Sequence, residues 1–215
     1  MAGQLYHATC GRFFAAIYES MIRGTEEAGL ADRRRKLLTR ATGATLEIGA
    51  GTGLNLAHYP PAVSELVLTE PSEHMARRLR DHLARASRPV EVVEAPAERL
   101  PFPDDRFDTV VCTLVLCTVP DPPAALAEVA RVLRSEGRLL FLEHVRSDDP
   151  RLARWQDRLW RPWRFMGDGC NCNRDTVATL RASALVVDDV EHSDLPKAPP
   201  IVRPLVFGSA TATGA

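Results

Sequence analysis

Three glycines in a short run are the residues of this sequence best placed to do chemistry. They follow an apolar stretch that predicts a strand, so the run lies where open α/β sheets bind ligands. Glycine lets the backbone turn sharply and approach a ligand without an intervening Cβ. A helix beginning at Leu54 would add free N–H groups and a positive dipole end, which suit a carboxylate. The positions that we predict to contact a ligand are Glu47, Gly49, Ala50, Gly51, Gly53, Leu54 and Asn55.

The spacing of these glycines separates two classes of cofactor. A loop that binds the pyrophosphate of a dinucleotide has the pattern G-x-G-x-x-G, whereas position 54 is leucine and the pattern here is G-x-G-x-G. Glu47, two residues before the first glycine, can face an ammonium group, which NAD lacks at the matching place. A plain tight turn is less favoured, because three glycines cost backbone entropy. The run therefore favours S-adenosyl-L-methionine, whose amino-acid end carries both charges.

Residues at the ends of the next predicted strands complete this cofactor site. Glu70 lies 17 residues after Gly53, at a strand end where a carboxylate can accept hydrogen bonds from both ribose hydroxyls. The alternative for Glu70 is an acid at a helix N-terminus. The stretch after the third strand is expected to flank the adenine, with a backbone N–H near Ala97 or Glu98 reading the base. The further residues predicted to hold the cofactor are Glu70, Pro71, Met75, Ala97, Glu98, Arg99, Thr113 and Leu114.

Alternating strand and helix patterns predict the scaffold that positions these residues. Strands are predicted at 45–49, 65–69, 90–94, 107–114, 137–145, 185–192 and 201–209. Helices are predicted at 12–23, 25–40, 54–58, 73–87, 122–133 and 174–183, with the polar cluster 32–36 mostly solvated. The stretches 110–116 and 139–142 are apolar on both faces, as in the central strands of a parallel sheet covered by helices on both sides. The pattern predicts a Rossmann-like, doubly wound α/β fold.

Length and composition narrow the class of protein. The 215 residues suit a single domain, which we divide into a helical cap (1–42), a cofactor-binding core (43–145), a lid (146–183) and C-terminal strands (184–215). A net charge of −1 argues against a nucleic-acid partner. Five cysteines in a sequence without a signal peptide indicate reduced thiols and a cytoplasmic protein. No apolar run reaches the about 18 residues that a transmembrane span requires.

The chain resembles class I methyltransferases, and within them the methyltransferase-like 7 family of alkyl-thiol S-methyltransferases. The stretches that carry this resemblance are VVCTLVLCTV at 110–119, LEHV at 142–145, WQ at 155–156, PW at 162–163, GCN at 169–171 with Arg174, and VRP at 202–204. The resemblance implies a seven-stranded sheet with an antiparallel last strand, a small thiol acceptor and the product S-adenosyl-L-homocysteine. The membrane-anchoring segment of animal members does not carry over, and Cys172 stands where a bulky apolar residue is expected.

Three residues are candidates for the chemistry of methyl transfer. His144 could take the proton of the acceptor, or it could be a structural histidine bonded to backbone. Glu143 could orient His144 or simply pack beside it as a hydrogen-bond acceptor. Cys117 could form a persulfide or disulfide with the substrate, or behave as a small core residue. A thiol acceptor needs no strong base, because thiolates are intrinsically nucleophilic.

The substrate side is expected to be built by the first helix and the lid, through Tyr18, Trp163, Cys170 and Asn171. Cys170 and Cys172 form a C-x-C pair, which by itself is weak evidence for a site that binds zinc or trivalent arsenic. We therefore predict no metal, and a loop that defines the shape of the substrate side. Arginines at 151, 154, 158 and 161 indicate an amphipathic lid helix or an interfacial helix, which Pro162 should end or kink. Alternatives to thiol methylation are C- or O-methylation of a quinone, polyketide or lipid-like metabolite, and adenosylmethionine binding without turnover.

Overall fold

Seven strands form a single sheet within the described part of the chain. The computed structural model describes the backbone of residues 2–84 and 89–213, and the side chains from Phe14 onward, so the Cys10 side chain and residues 85–88 of the predicted helix 73–87 lie outside it. The strands are β1 (Gly43–Ile48), β2 (Val63–Thr69), β3 (Glu91–Val93), β4 (Phe107–Thr113), β5 (Leu133–His144), β6 (Leu185–Asp194) and β7 (Pro204–Ala212). Their order is β3-β2-β1-β4-β5-β7-β6.

The strand directions confirm the predicted doubly wound sheet. Strands β1 to β5 pair in parallel, whereas β7 runs antiparallel to both β5 and β6. The carboxyl ends of β1, β2 and β4 therefore meet at one edge of the sheet, which is where the predicted cofactor residues are placed.

Helices cover both faces of this sheet. They are α1 (Ala2–Thr25), α2 (Ala31–Leu38), α3 (Glu73–Leu83), α4 (Pro122–Val132), α5 (Pro150–Met166) and α6 (Thr176–Arg181). A π-helical turn at Glu26–Leu30 joins α1 to α2, and single 3₁₀ turns lie at Leu56–His58 and Pro200–Val202. The core on one face receives side chains from α4 and α6, and the core on the other receives them from α2 and α3.

The central strand β4 shows why the sequence folds in this way. Val110 and Cys112 are fully buried in one core, and Val111 is fully buried in the other. Successive side chains of a strand point to opposite faces, so a strand buried on both faces must be apolar at every position. The continuous apolar run in the sequence is the direct consequence.

The structure differs from the predicted elements most clearly at two helices. Helix α5 continues through Pro162 to Met166; Pro162 and Arg158 are exposed, so water can bind the Arg158 carbonyl that the proline ring deprives of its hydrogen bond. The predicted helix after the glycine run is only the 3₁₀ turn Leu56–His58. Tyr59 follows this turn in extended backbone and precedes Pro60, and a residue before proline disfavours helical backbone. The sequence argument from a helix N-terminus at Leu54 is therefore wrong.

Candidate active site

The three glycines of the loop after β1 have different surroundings and therefore different structural roles. Gly49, Gly51 and Gly53 all have positive φ, at 61°, 58° and 89°. A Cβ on Gly49 would lie 2.6 Å from Val115 Cγ2, so this glycine lets the loop pack against the end of β4. A Cβ on Gly51 would meet no protein atom within 4 Å. Gly51 therefore faces open space, and its backbone is the part of the loop that a ligand can approach.

Glu70 stands beside Gly51 at the end of β2. The Gly51 N–H donates to Glu70 Oε2 at 2.8 Å, and the Ser72 N–H donates to Glu70 Oε1 at 2.8 Å. Burial raises the pKa of the Glu70 carboxyl, while these two N–H groups act in the opposite direction. Each carboxylate oxygen has capacity for a further hydrogen bond. Glu70 is thus held in place by backbone and can still accept donors from a ligand.

The Glu47 side chain is buried near the end of β1, just before the glycine loop. Its Oε1 accepts from Asn55 Nδ2 at 2.9 Å, and its Oε2 accepts from the Tyr59 hydroxyl at 2.6 Å. Burial raises its pKa to about 7, although both hydrogen bonds oppose the shift. Glu47 therefore connects the start of the loop to the turn that ends it, and its contact with a ligand ammonium stays a prediction.

Arg34 is a site residue that sequence reasoning missed. Only 3% of its side chain is exposed, so the prediction that the cluster 32–36 is solvated is wrong at this position. Its Nε lies 3.0 Å from Glu26 Oε1, and its Nη1 donates to Asn55 Oδ1 and Thr113 Oγ1, both at 3.0 Å. The signal was present in the sequence, because Arg34 is four residues from both Leu30 and Leu38 and so shares their buried helical face.

The end of β4 has an unusual backbone at Leu114, whose φ is 60°. Left-handed backbone is rare for residues other than glycine and is typical of functional sites. The Leu114 N–H donates to the Leu142 carbonyl at 2.7 Å, and the Thr113 hydroxyl accepts from Asn55 Nδ2 at 3.0 Å. The predicted cofactor residues Thr113 and Leu114 are therefore placed at the same edge of the sheet as the glycine loop.

The remaining predicted cofactor residues also border this edge. Pro71 and Met75 lie around the start of α3, where Met75 N–H donates to Ser72 Oγ at 3.4 Å. Ala97 is buried after β3, and Glu98 Oε1 accepts from the Asp121 N–H at 3.2 Å. The stretch expected to flank the adenine is thereby tied to the start of α4.

Glu143 organises the loop that follows β4. Its Oε1 accepts from the N–H groups of Val115 and Leu116 at 2.9 and 3.0 Å, and its Oε2 accepts from the Cys117 N–H at 3.2 Å. The Cys112 thiol also donates to Oε1 at 3.1 Å. Burial raises the pKa of Glu143, and these donors partly oppose it. Of the two roles considered from the sequence, the structure gives Glu143 that of a buried hydrogen-bond acceptor.

His144 faces away from Glu143, because consecutive residues of a strand point to opposite sides of the sheet. Its ring lies against the backbone of Val202 and Pro204, and burial lowers its pKa to about 4. Among the described residues, its Nδ1 atom has no hydrogen-bond partner. The structure therefore does not bring Glu143 and His144 together. It places a neutral imidazole beside Val202 and Pro204, where β7 begins.

The lid reaches over the loop after β4. The Asn171 backbone N–H and Nδ2 both donate to the Cys117 carbonyl, at 2.8 and 3.2 Å. Arg174 Nη1 donates to the Leu116 carbonyl and, at 2.9 Å, to that of Val119. Backbone contacts thus fix the lid against the residues that Glu143 positions.

Side chains expected to contact the substrate converge where the lid meets this loop. The Cys117 thiol and the Trp163 indole both lie beside Cys170. Tyr18 lies close enough to Cys117 and Glu70 for both to affect its pKa, which burial raises. Tyr18, Trp163, Cys170 and Asn171 are therefore brought together with Cys117, between the lid and the cofactor edge.

Comparisons with known proteins identify the family. A model of the methyltransferase domain matches residues 46–141. Thiol S-methyltransferase TMT1B of Homo sapiens is 38% identical over 181 residues, which cover 81% of this chain and 74% of the relative. The chain belongs to the thiol S-methyltransferase family of class I methyltransferases. It is an S-adenosylmethionine-dependent methyltransferase, as the resemblance in its sequence implied.

Solved structures show the same fold at low sequence identity. A possible histamine N-methyltransferase from Thermotoga maritima superposes with a TM-score of 0.70 at 21% identity, covering 94% of this methyltransferase and 97% of that chain. The N-methyltransferase NodS from Bradyrhizobium japonicum, solved with S-adenosyl-L-homocysteine, has a TM-score of 0.64 at 16% identity, covering 86% and 87%. Both likenesses concern the fold alone.

The residues of this methyltransferase fit S-adenosyl-L-methionine at the edge described above. Open space beside Gly51, which a Cβ would fill, adjoins the buried Glu70 carboxylate. Over the part of the chain that the structure describes, no three His, Cys, Asp or Glu side chains are grouped to hold a metal ion. No described helix combines the length and apolar character that crossing a membrane requires.

Proposed function

We propose that this methyltransferase transfers the methyl group of S-adenosyl-L-methionine to the sulfur of a small thiol, leaving S-adenosyl-L-homocysteine. One observation carries the choice of a thiol: among the side chains that the structure describes, the groups around Cys117 and Cys170 include no free general base. The Glu143 carboxylate already accepts three backbone N–H groups, and the His144 ring faces another part of the protein. An acceptor that needs no strong base fits this site. The name of the human relative, a thiol S-methyltransferase, agrees with this choice of acceptor.

The cofactor would be held along the edge of the sheet from the glycine loop to the stretch after β3. Glu70 would accept the ribose hydroxyls, and the backbone around Gly51 would approach the amino-acid end. Residues 97–99 would flank the adenine. Bound there, the cofactor supplies a methyl group on a positively charged sulfonium.

The contribution of this chain to the reaction is alignment. Positioning two reactants for an in-line displacement can be worth about 7–11 kcal/mol. Glu143 holds residues 115–117, and the lid holds Cys170 and Asn171 against them, so the acceptor meets a rigid wall. A thiol with an ordinary pKa of about 8.5 is a few per cent ionised at pH 7, and that fraction is strongly nucleophilic. Deprotonation by solvent is therefore sufficient.

Methyl transfer to a panel of alkyl and aryl thiols, beside phenols and quinols, tests the proposal. Products are identified by mass spectrometry, with His144→Gln as a second enzyme. We expect thioethers from the thiols alone, and retained thiol turnover in the variant. Methylated phenols or quinols without any thioether would overturn the thiol acceptor. Loss of most turnover in His144→Gln, with its fold intact, would show that the imidazole acts as a base after all.

A further inference from the structure

Two free thiols from separate parts of the chain meet beneath the lid. Cys117 lies in the loop after β4 and Cys170 in the loop after α5, and both are buried and unoxidised. The backbone of Cys117 is fixed on both sides, because its N–H donates to Glu143 and its carbonyl accepts two hydrogen bonds from Asn171. Cys170 N–H in turn donates to the Gly167 carbonyl at 3.1 Å. The two sulfurs therefore meet through a constrained arrangement of backbone.

The two thiols are not equivalent. Cys170 lies against the Cys117 thiol, and this contact lowers the pKa of Cys170. The pKa of Cys117 is raised, by that same contact and by burial. The charged groups that face Cys170 are Glu143, which opposes its ionisation, and Arg174, which favours it. Cys170 is the sulfur that ionises first, and Cys117 is the proton-bearing neighbour.

We propose that Cys170 and Cys117 form a thiol–disulfide exchange site for small organic disulfides, with Cys170 as the attacking sulfur and Cys117 as the resolving one. Such a disulfide is the oxidised form of the class of thiol that the same space would accept for methylation. The exchange itself needs no adenosylmethionine, so it does not depend on the proposed methyl transfer.

The chemistry follows the usual two steps of exchange. The Cys170 thiolate attacks one sulfur of the disulfide R–S–S–R, forming a Cys170–S–S–R bond and expelling one RS⁻. Cys117 then loses its proton and attacks the Cys170 sulfur, expelling the second RS⁻. The two cysteine protons end on the two RSH molecules. The external disulfide gains two electrons, and the cysteine pair is oxidised to a Cys117–Cys170 disulfide.

The other described cysteines lack this arrangement. Burial, together with the Glu143 carboxylate to which the Cys112 thiol donates, raises the pKa of Cys112 well above the ordinary value. Burial raises the pKa of Cys172 to about 12. Thiolates, not thiols, carry out exchange, so these two cysteines are expected to be inert. A disulfide between Cys117 and Cys170 would join the lid to the loop after β4, and methyl transfer should then stop.

Exchange with 2-hydroxyethyl disulfide, followed by intact mass and peptide mapping without adenosylmethionine, tests this proposal. Cys10 is replaced by serine in every protein compared, so that the four described cysteines alone can react. The parent should lose two hydrogens and yield a Cys117–Cys170 cross-link. Cys117→Ser should instead accumulate the mixed disulfide on Cys170. Cys170→Ser should react at least tenfold more slowly, and Cys172→Ser, the matched control, should behave as the parent does.

Two further readouts separate exchange from structural effects. The residual exchange of Cys170→Ser should become half-maximal at a higher pH than that of the parent, because burial raises the pKa of Cys117. The oxidised parent should lose thiol methylation and regain it with tris(2-carboxyethyl)phosphine, a reductant that is not a thiol, and oxidised Cys172→Ser should do the same. Labelling spread equally over Cys112 and Cys172, or no Cys117–Cys170 cross-link in a folded parent, would overturn the proposal. If no thiol is methylated, the mass results still stand by themselves.

Discussion

The carboxylate of Glu143 accepts the backbone N–H of Cys117 at 3.2 Å, although one residue ends β5 and the other lies in the loop after β4. The same carboxylate binds the N–H groups of Val115 and Leu116. Val115 in turn contacts Gly49 of the glycine loop. A single buried acid therefore connects the cofactor edge of the sheet to the cysteine pair beneath the lid.

Glu143→Gln should destabilise the protein by about 1–3 kcal/mol, because an amide nitrogen would face N–H donors and leave buried groups unpaired. Thiol methylation should fall with it, since residues 115–117 lose their common acceptor. Denaturant unfolding and kcat/KM measure the two effects. Glu191→Gln is the control, because Glu191 forms an exposed ion pair with Lys36 and its loss should cost no more than about 1 kcal/mol. Equal stability of the two variants would contradict the assigned role of Glu143.

Gly51→Ala should weaken binding of S-adenosyl-L-homocysteine at least tenfold while costing only about 1–2 kcal/mol for the positive φ. The reason is that its Cβ enters space free of protein atoms. Gly49→Ala, the paired variant, should lose more stability because its Cβ would overlap Val115. Isothermal titration calorimetry and thermal unfolding distinguish the two. Unchanged affinity in Gly51→Ala would place the cofactor elsewhere.

Arg34→Met should cost about 3–5 kcal/mol, because it removes one partner of a largely buried ion pair with Glu26 and leaves the Asn55 side-chain oxygen without its donor. Arg35→Met, one residue along, is the matched control. Arg35 is 60% exposed and pairs only with Asp32 at the surface, so its loss should cost less than about 1 kcal/mol. Chemical unfolding of both variants measures the difference, and similar losses would refute a buried role for Arg34.

The protein should lose stability through His144 as the pH falls from 6.5 towards 4. The folded pKa of this group is lowered to about 4, so in that window the unfolded chain binds the proton more tightly and stability rises with pH. The full contribution is about 3 kcal/mol. His144→Gln cannot titrate, so its unfolding free energy should fall less steeply on acidification. Parallel pH profiles of the two proteins would show that His144 is not buried as a neutral group.

Local patterns in the sequence were enough to predict the sheet, the glycine loop and Glu70 at the end of β2. A strand buried on both faces must be apolar at every position, and a loop with positive φ favours glycine, so consecutive residues of the sequence reveal both. Tertiary structure alone decided that Glu143 accepts the N–H groups of residues 115–117, that Arg34 donates to Asn55 and Thr113, and that Cys117 meets Cys170. These are contacts between residues far apart in the chain, and the packing of elements that selects them has no local pattern in the sequence.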